Sequence, residues 1–126
     1  MRFSKYKNKK VTIDGETFDS KREAQRWCEL MMLQRAGEVR FLQRQVKYVL
    51  IPPQHETYER YGKKGQRLKD GQRTLEKECA YIADFQYHDA KTGKLVVEDT
   101  KGVRTKDYII KRKLMLWVHG IRISEV

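Results

Sequence analysis

Two consecutive apolar segments, Tyr81 to Tyr87 and Leu95 to Lys101, are joined through the turn Asp89-Ala90-Lys91-Thr92-Gly93-Lys94, and each carries a carboxylate, Asp84 and Asp99. So short a connection predicts neighbouring antiparallel strands. In the second segment the side-chain period of two places Val97, Asp99 and Lys101 on one face and Val96, Glu98 and Thr100 on the other. Asp84 then lies across from Asp99 and Lys101, gathering two carboxylates and an ammonium into one small volume. That is the composition of a divalent-metal site. The triplet Asp-x-Lys also occurs at Asp19 and Asp89, but the first opens a helix and the second lies in a turn, where exposed charges are ordinary. On the triplet alone, the competing reading of Asp99 and Lys101 is a salt-bridged strand end.

A chain of 126 residues suits one domain around one core. The expected organisation is a basic arm and hairpin over 1–19 and a core over 20–126 that carries a basic loop at 54–73. Charged residues make up 36%, against a usual value of roughly 25%. With 28 Lys and Arg against 17 Asp and Glu, the net charge of +11 makes a polyanion the default partner, nucleic acid ahead of membrane. No apolar run reaches the roughly 18 residues a membrane span needs, and no apolar signal core follows the basic N-terminus, so a cytoplasmic protein is expected. Cys28 and Cys79 have neither Cys-x-x-Cys spacing nor a His cluster beside them, which argues against zinc and a disulfide framework and for reduced, structural thiols.

Along the chain, Val11 to Phe18 reads as a hairpin turning at Asp14-Gly15, and Ser20 opens a helix that Gly37 stops. Val39 to Ile51 reads as a strand ending at Pro52-Pro53. Residues 54–73 lack apolar periodicity and carry three glycines, predicting a flexible loop or extended hairpin tip. Strands over about 74–88 and 95–101 follow. A helix over 106–119 places Ile110, Leu114, Trp117 and Val118 on one stripe, expected to be core together with Trp27, and a last strand spans 121–126. The order is helix, three strands, helix, strand after an N-terminal hairpin: a mixed α/β fold with a central sheet flanked by helices.

With that order, Asp84 followed by Asp99-Thr100-Lys101 resembles the PD-(D/E)XK nuclease superfamily. Thr12-Ile13-Asp14-Gly15, Phe18-Asp19-Ser20-Lys21, Leu33-Gln34-Arg35-Ala36-Gly37, Tyr81-Ile82-Ala83-Asp84-Phe85 and Val97 to Gly102 are similar to a group of short phage proteins placed in it. Where that motif usually has Pro before its first Asp, this chain has Ala83. The resemblance implies a restriction-endonuclease-like core, a viral or prophage origin and action in the cytoplasm of a bacterial host. It implies that Asp84, Asp99 and Glu23 hold Mg2+, with Mn2+ as a substitute, and that Lys101 stabilises phosphate charge and orients the attacking water. Glu23 also fits a capping box with Ser20, in which it needs no catalytic role.

Gln86, Tyr108 and Lys111 are candidate auxiliary residues. Lys5, Lys7, Arg60, Lys63, Lys64, Arg67, Lys69, Arg73 and Arg104 are candidate nucleic-acid contacts, with Tyr58 and Tyr61 available for base stacking. The expected activity is a metal-dependent DNA endonuclease, most like the small basic Holliday junction resolvases, acting as a homodimer on branched DNA. The apolar run Leu30-Met31-Met32-Leu33 is the surface expected for the dimer contact. A non-specific, nicking, restriction-like or transposition-associated nuclease is the alternative enzyme. A non-catalytic nucleic-acid-binding protein is the alternative of another class.

Overall fold

The structure, a computed structural model, describes residues 9–126. Lys5 and Lys7 lie outside the described residues. The chain first forms a hairpin of Val11–Ile13 (β1) and Glu16–Phe18 (β2). Its turn residues Asp14 and Gly15 have φ of 50° and 81°, the left-handed pair that a two-residue hairpin turn requires. The helix Lys21–Arg35 (α1) follows. Its N-cap Ser20 accepts a hydrogen bond from the Glu23 N–H at 3.1 Å, and Gly37 carries the chain away at φ 77°.

Val39–Ile51 (β3), Gln54–Tyr61 (β4), Arg67–Glu76 (β5), Cys79–Asp89 (β6) and Leu95–Asp99 (β7) come next, then the helix Lys106–His119 (α2) and the short strand Ser124–Glu125 (β8). The four-stranded sheet has the order β3-β6-β7-β8, antiparallel except for the parallel pairing of β7 with β8. Of the two readings of residues 54–73, the structure has the extended hairpin, a ribbon of β4 paired with β5, and not the flexible loop. One expectation changes: the strand expected over 74–88 is broken at Lys77-Glu78, its first residues belonging to the ribbon. The last strand is also shorter than expected, two residues rather than six.

Adjacent residues of β7 show how the layers are arranged. Val97 packs with Tyr108 and Met115 of α2, while Val96 packs with Leu30 of α1, so the helices cover opposite faces of the sheet. In β6, Tyr81 and Ala83 belong to the α2 side, but Phe85 and Tyr87 belong to the α1 side. A regular strand would put all four on one face. In β3, Tyr48 and Leu50 lie on the α2 side and Leu42 on the α1 side, again an even spacing on two faces. Both strands therefore reverse their alternation along the same stretch. Within it Gln45, which has φ 55°, stands opposite Asp84 between the pairs Arg44↔Phe85 and Val46↔Ala83.

On the α1 side Trp27 is half-buried and stacks on Phe85, with ring centroids 6.0 Å apart. Beside it Glu98, 1% exposed, accepts from Arg26 Nε and Nη2 at 2.7 and 2.6 Å and from the Tyr87 hydroxyl. A buried carboxylate survives where such donors replace water.

Of the expected apolar stripe of α2 only Leu114 packs against the core. Trp117 is 86% exposed, and Ile110 and Val118 are exposed too, because the helix meets the sheet through Tyr108 and Met115, seven residues apart. Cys28 is exposed rather than structural, and of Leu30 to Leu33 only Met32 stands well out of the fold. Met115→Ala should therefore cost roughly 2–5 kcal/mol in urea unfolding. Trp117→Ser, compared at a concentration where both proteins are monomeric, should stay within about 0.5 kcal/mol of the parent.

Candidate active site

Asp84 sits where β6 changes face, and its Oδ2 accepts from the Thr100 N–H at 2.8 Å and from Thr100 Oγ1 at 2.7 Å. Strand periodicity had placed Thr100 on the face away from Asp84. Because β7 ends at Asp99, Thr100 is free of the pleat and turns both donors back to the carboxylate. Asp99 is 2% exposed; its Oδ2 accepts from the Tyr81 hydroxyl at 2.5 Å and lies 3.4 Å from Lys101 Nζ. That ammonium also stands 4.6 Å from the centre of the Tyr108 ring.

Glu23, 3% exposed, enters from α1. Its Oε1 accepts from Gln45 Nε2 at 3.1 Å and lies 3.6 Å from Arg44 Nη2, so its carboxylate is engaged inside the fold while its backbone takes the Ser20 cap. Burial first, then the negative charges of Asp84 and Asp19, raises the Glu23 pKa, which places this side chain in the field of Asp84. The fold thus brings Glu23, Asp84, Asp99 and Lys101 into one neighbourhood.

Burial, then hydrogen bonding with Asp84, pushes the Asp99 pKa up to about 7, against the opposing pull of the Tyr81 hydroxyl and Lys101. Two carboxylates this close share a proton unless a cation replaces it. Burial pushes the Tyr81 phenol far up as well, so it remains a donor. Among the described residues no group of three or more His, Cys, Asp or Glu side chains is placed to hold a metal ion. Asp84 and Asp99 are two hard oxygen donors, and Mg2+ commonly takes one or two carboxylates and completes its shell with water and phosphate oxygen. On that chemistry the pair fits the ion.

The auxiliary candidates divide. Tyr108 is buried with its hydroxyl unpartnered among the described residues, and with Lys101, Lys111 and Tyr81 it lines an open cleft of about 300 Å³. Gln86 accepts from the Tyr48 hydroxyl and donates to Gln43 Oε1 at 3.4 Å. Arg104 pairs with Glu125, which also lies 3.1 Å from Arg112. Arg60, Lys63, Lys64, Arg67, Lys69 and Arg73 all lie on the ribbon and its turn. Sequence reading missed Thr100, Tyr81 and Gln45. The available signal was Asp99 itself, since a carboxylate ending a buried strand needs a donor from the strand beside it.

Residues 3–119 match the family described as Protein of unknown function (DUF1064). The chain belongs to this family. No curated protein and no solved structure matches it. The DUF1064 match takes in α1, the ribbon, β6, β7 and all of α2, and hence Glu23, Asp84, Asp99 and Lys101.

The proton on Asp99 has a measurable consequence for a DUF1064 chain kept in EDTA. With a folded pKa near 7 against an ordinary 3.8, the folded state binds more protons between those values, so stability is fullest below about pH 4 and falls as pH rises through about 7. Asp99→Asn, neutral throughout, should flatten that decline in urea titrations. A decline that persists in the variant would assign it to another group.

Proposed function

We propose that this protein is a divalent-metal-dependent DNA endonuclease with a restriction-endonuclease-like core, acting on branched DNA in the manner of a Holliday junction resolvase. The observation that carries the reading is the buried Asp99, beside Asp84 and 3.4 Å from Lys101 Nζ, with its pKa pushed up to about 7 by burial and by hydrogen bonding with Asp84. A bound Mg2+ or Mn2+ would supply Lewis acidity to the scissile phosphate and lower the pKa of a water. Asp84 and Asp99 would hold it, kept in place by Thr100 and Tyr81. Lys101 donates to the phosphate oxygens as negative charge builds and orients the water whose oxygen attacks phosphorus as the bond to the leaving oxygen breaks. Glu23, through Gln45 and the field of Asp84, fixes the charge balance behind the pair. The basic ribbon and the +11 net charge favour a polyanionic substrate.

A four-way junction has two-fold symmetry, so a C2 homodimer can present two such sites to opposed strands. The exposed side chains Ile110, Trp117 and Val118 of α2 offer an isologous surface. The resemblance to phage proteins favours action in the cytoplasm of a bacterial host. No helix among the described residues is long and apolar enough to cross a membrane.

Junction, fork, flap, single-stranded and linear duplex DNA incubated with Mg2+, Mn2+ or EDTA test the reading. Cleavage should require metal and favour the junction, and sedimentation should show a dimer. Asp84→Asn or Asp99→Asn should abolish cleavage while binding in EDTA survives. Lys101→Ala should slow cleavage about 10²- to 10³-fold with metal affinity kept. Activity in the Asn variants would refute the site. Equal attack on linear duplex by a monomer would leave a general nuclease, and binding without any cleavage would leave a nucleic-acid-binding protein.

A further inference from the structure

The donors around the two site carboxylates are shared unevenly between their oxygens. On Asp84 the Thr100 N–H and the Thr100 hydroxyl both reach Oδ2, at 2.8 and 2.7 Å. On Asp99 the Tyr81 hydroxyl at 2.5 Å and Lys101 Nζ at 3.4 Å again both reach Oδ2. Among the described residues no N–H or hydroxyl donates to either Oδ1, and the two carboxyl groups hydrogen-bond with each other. Each acid therefore keeps one oxygen to offer a cation.

Neither set of donors turns aside easily. Tyr81 is 4% exposed, packed in the cluster of Leu50, Val97 and Met115 with its ring centre 6.4 Å from that of Tyr108. Swinging its hydroxyl away from Asp99 would leave a buried phenol unpaired, which costs about 1–3 kcal/mol. Thr100 follows Asp99, whose carbonyl accepts from the Val126 N–H at 3.0 Å where β7 runs beside β8. One of the two donors on Asp84 is backbone, so no rotamer change removes it.

Divalent cations differ in what they ask of a carboxylate. Ca2+ gathers about six to eight oxygens and readily takes both from one carboxylate, whereas Mg2+ holds to octahedral geometry and fills its shell largely with water and phosphate oxygen. Two single protein oxygens leave about four of the roughly six Mg2+ positions for such ligands. The open cleft of about 300 Å³ beside Tyr81 and Lys101 has room for them, since a water occupies about 30 Å³. An occupied Oδ2 on each acid denies Ca2+ the two-oxygen mode that fills its larger shell. Mg2+ loses nothing by it.

We propose that Tyr81 and Thr100 are positioning residues that set the choice of metal: by holding Oδ2 of Asp99 and of Asp84 they leave one oxygen from each acid and turn the site from Ca2+ toward Mg2+. The inference rests on the metal site of the nuclease reading. The test is the rise in melting temperature of the full chain with MgCl2 and with CaCl2 at fixed pH and ionic strength, each converted to a dissociation constant. A rise that disappears in Asp99→Asn belongs to this site. Tyr81→Phe keeps the ring and frees Oδ2, and should shift the ratio of the two constants toward Ca2+ about tenfold. Proton competition at Asp99 affects both ions alike and leaves the ratio untouched. Tyr87→Phe removes the same kind of donor from Glu98 on the α1 side and should not move the ratio. A second measurement needs no variant: with isotope-labelled aspartate, infrared difference spectra of the parent with and without Mg2+ should show the widely separated carboxylate stretches of one-oxygen ligation. An unchanged ratio in Tyr81→Phe, an equal change in Tyr87→Phe, or the closely spaced stretches of two-oxygen ligation would overturn the inference and leave the metal site standing. No Asp99-dependent rise with either ion would refute the metal site, and the nuclease reading with it.

Discussion

The arrangement depends on one backbone constraint: the alternation of β3 and β6 must reverse along the stretch where Gln45 faces Asp84. Without the reversal Tyr81, Ala83, Phe85 and Tyr87 would crowd one face, and one of the two helices would have no apolar layer to cover. With it, each half of β6 serves a different helix. The irregular position is also where a charged residue costs least, because a side chain at the crossing point belongs to neither core. Asp84 occupies that position, and Gln45 reaches from across the ladder to the buried Glu23.

The two acids that end β7 meet opposite electrostatic conditions. Glu98 faces α1 and has a bidentate Arg26 and a phenol, so its charge is fully compensated. Asp99 faces α2 with a phenol, a more distant ammonium and a second carboxylate, so its charge is not. Neighbouring residues in one strand therefore provide a fixed structural ion and a carboxylate whose pKa burial and Asp84 push up to about 7. Perturbed carboxylates of the second kind concentrate at functional sites.

Much of this was legible because local chemistry decides it. The Asp14-Gly15 turn, the Ser20 and Gly37 ends of α1 and the opposition of Asp84 to Asp99 all follow from residue type and short-range register. Three features were hidden. An apolar stripe on α2 records which side of the helix is greasy but not whether a layer exists to cover it, so Trp117 was misplaced. The ribbon carries no hydrophobic alternation because neither face is buried, leaving strand periodicity nothing to act on. Thr100 was assigned by extending the pleat one residue past its end, where the backbone no longer obeys it.

The ribbon is spliced into the fold at a single rung, Ile51 opposite Cys79, in strands that already run antiparallel. Such a position is where a tight turn would otherwise close the sheet. Changes in ribbon length or composition need not propagate into the register of β3 and β6, since loops tolerate insertion at small thermodynamic cost. Reach and chemistry are consequently separable properties of this chain: the projection can be lengthened, recharged or trimmed to suit another target while the carboxylates stay where the sheet holds them.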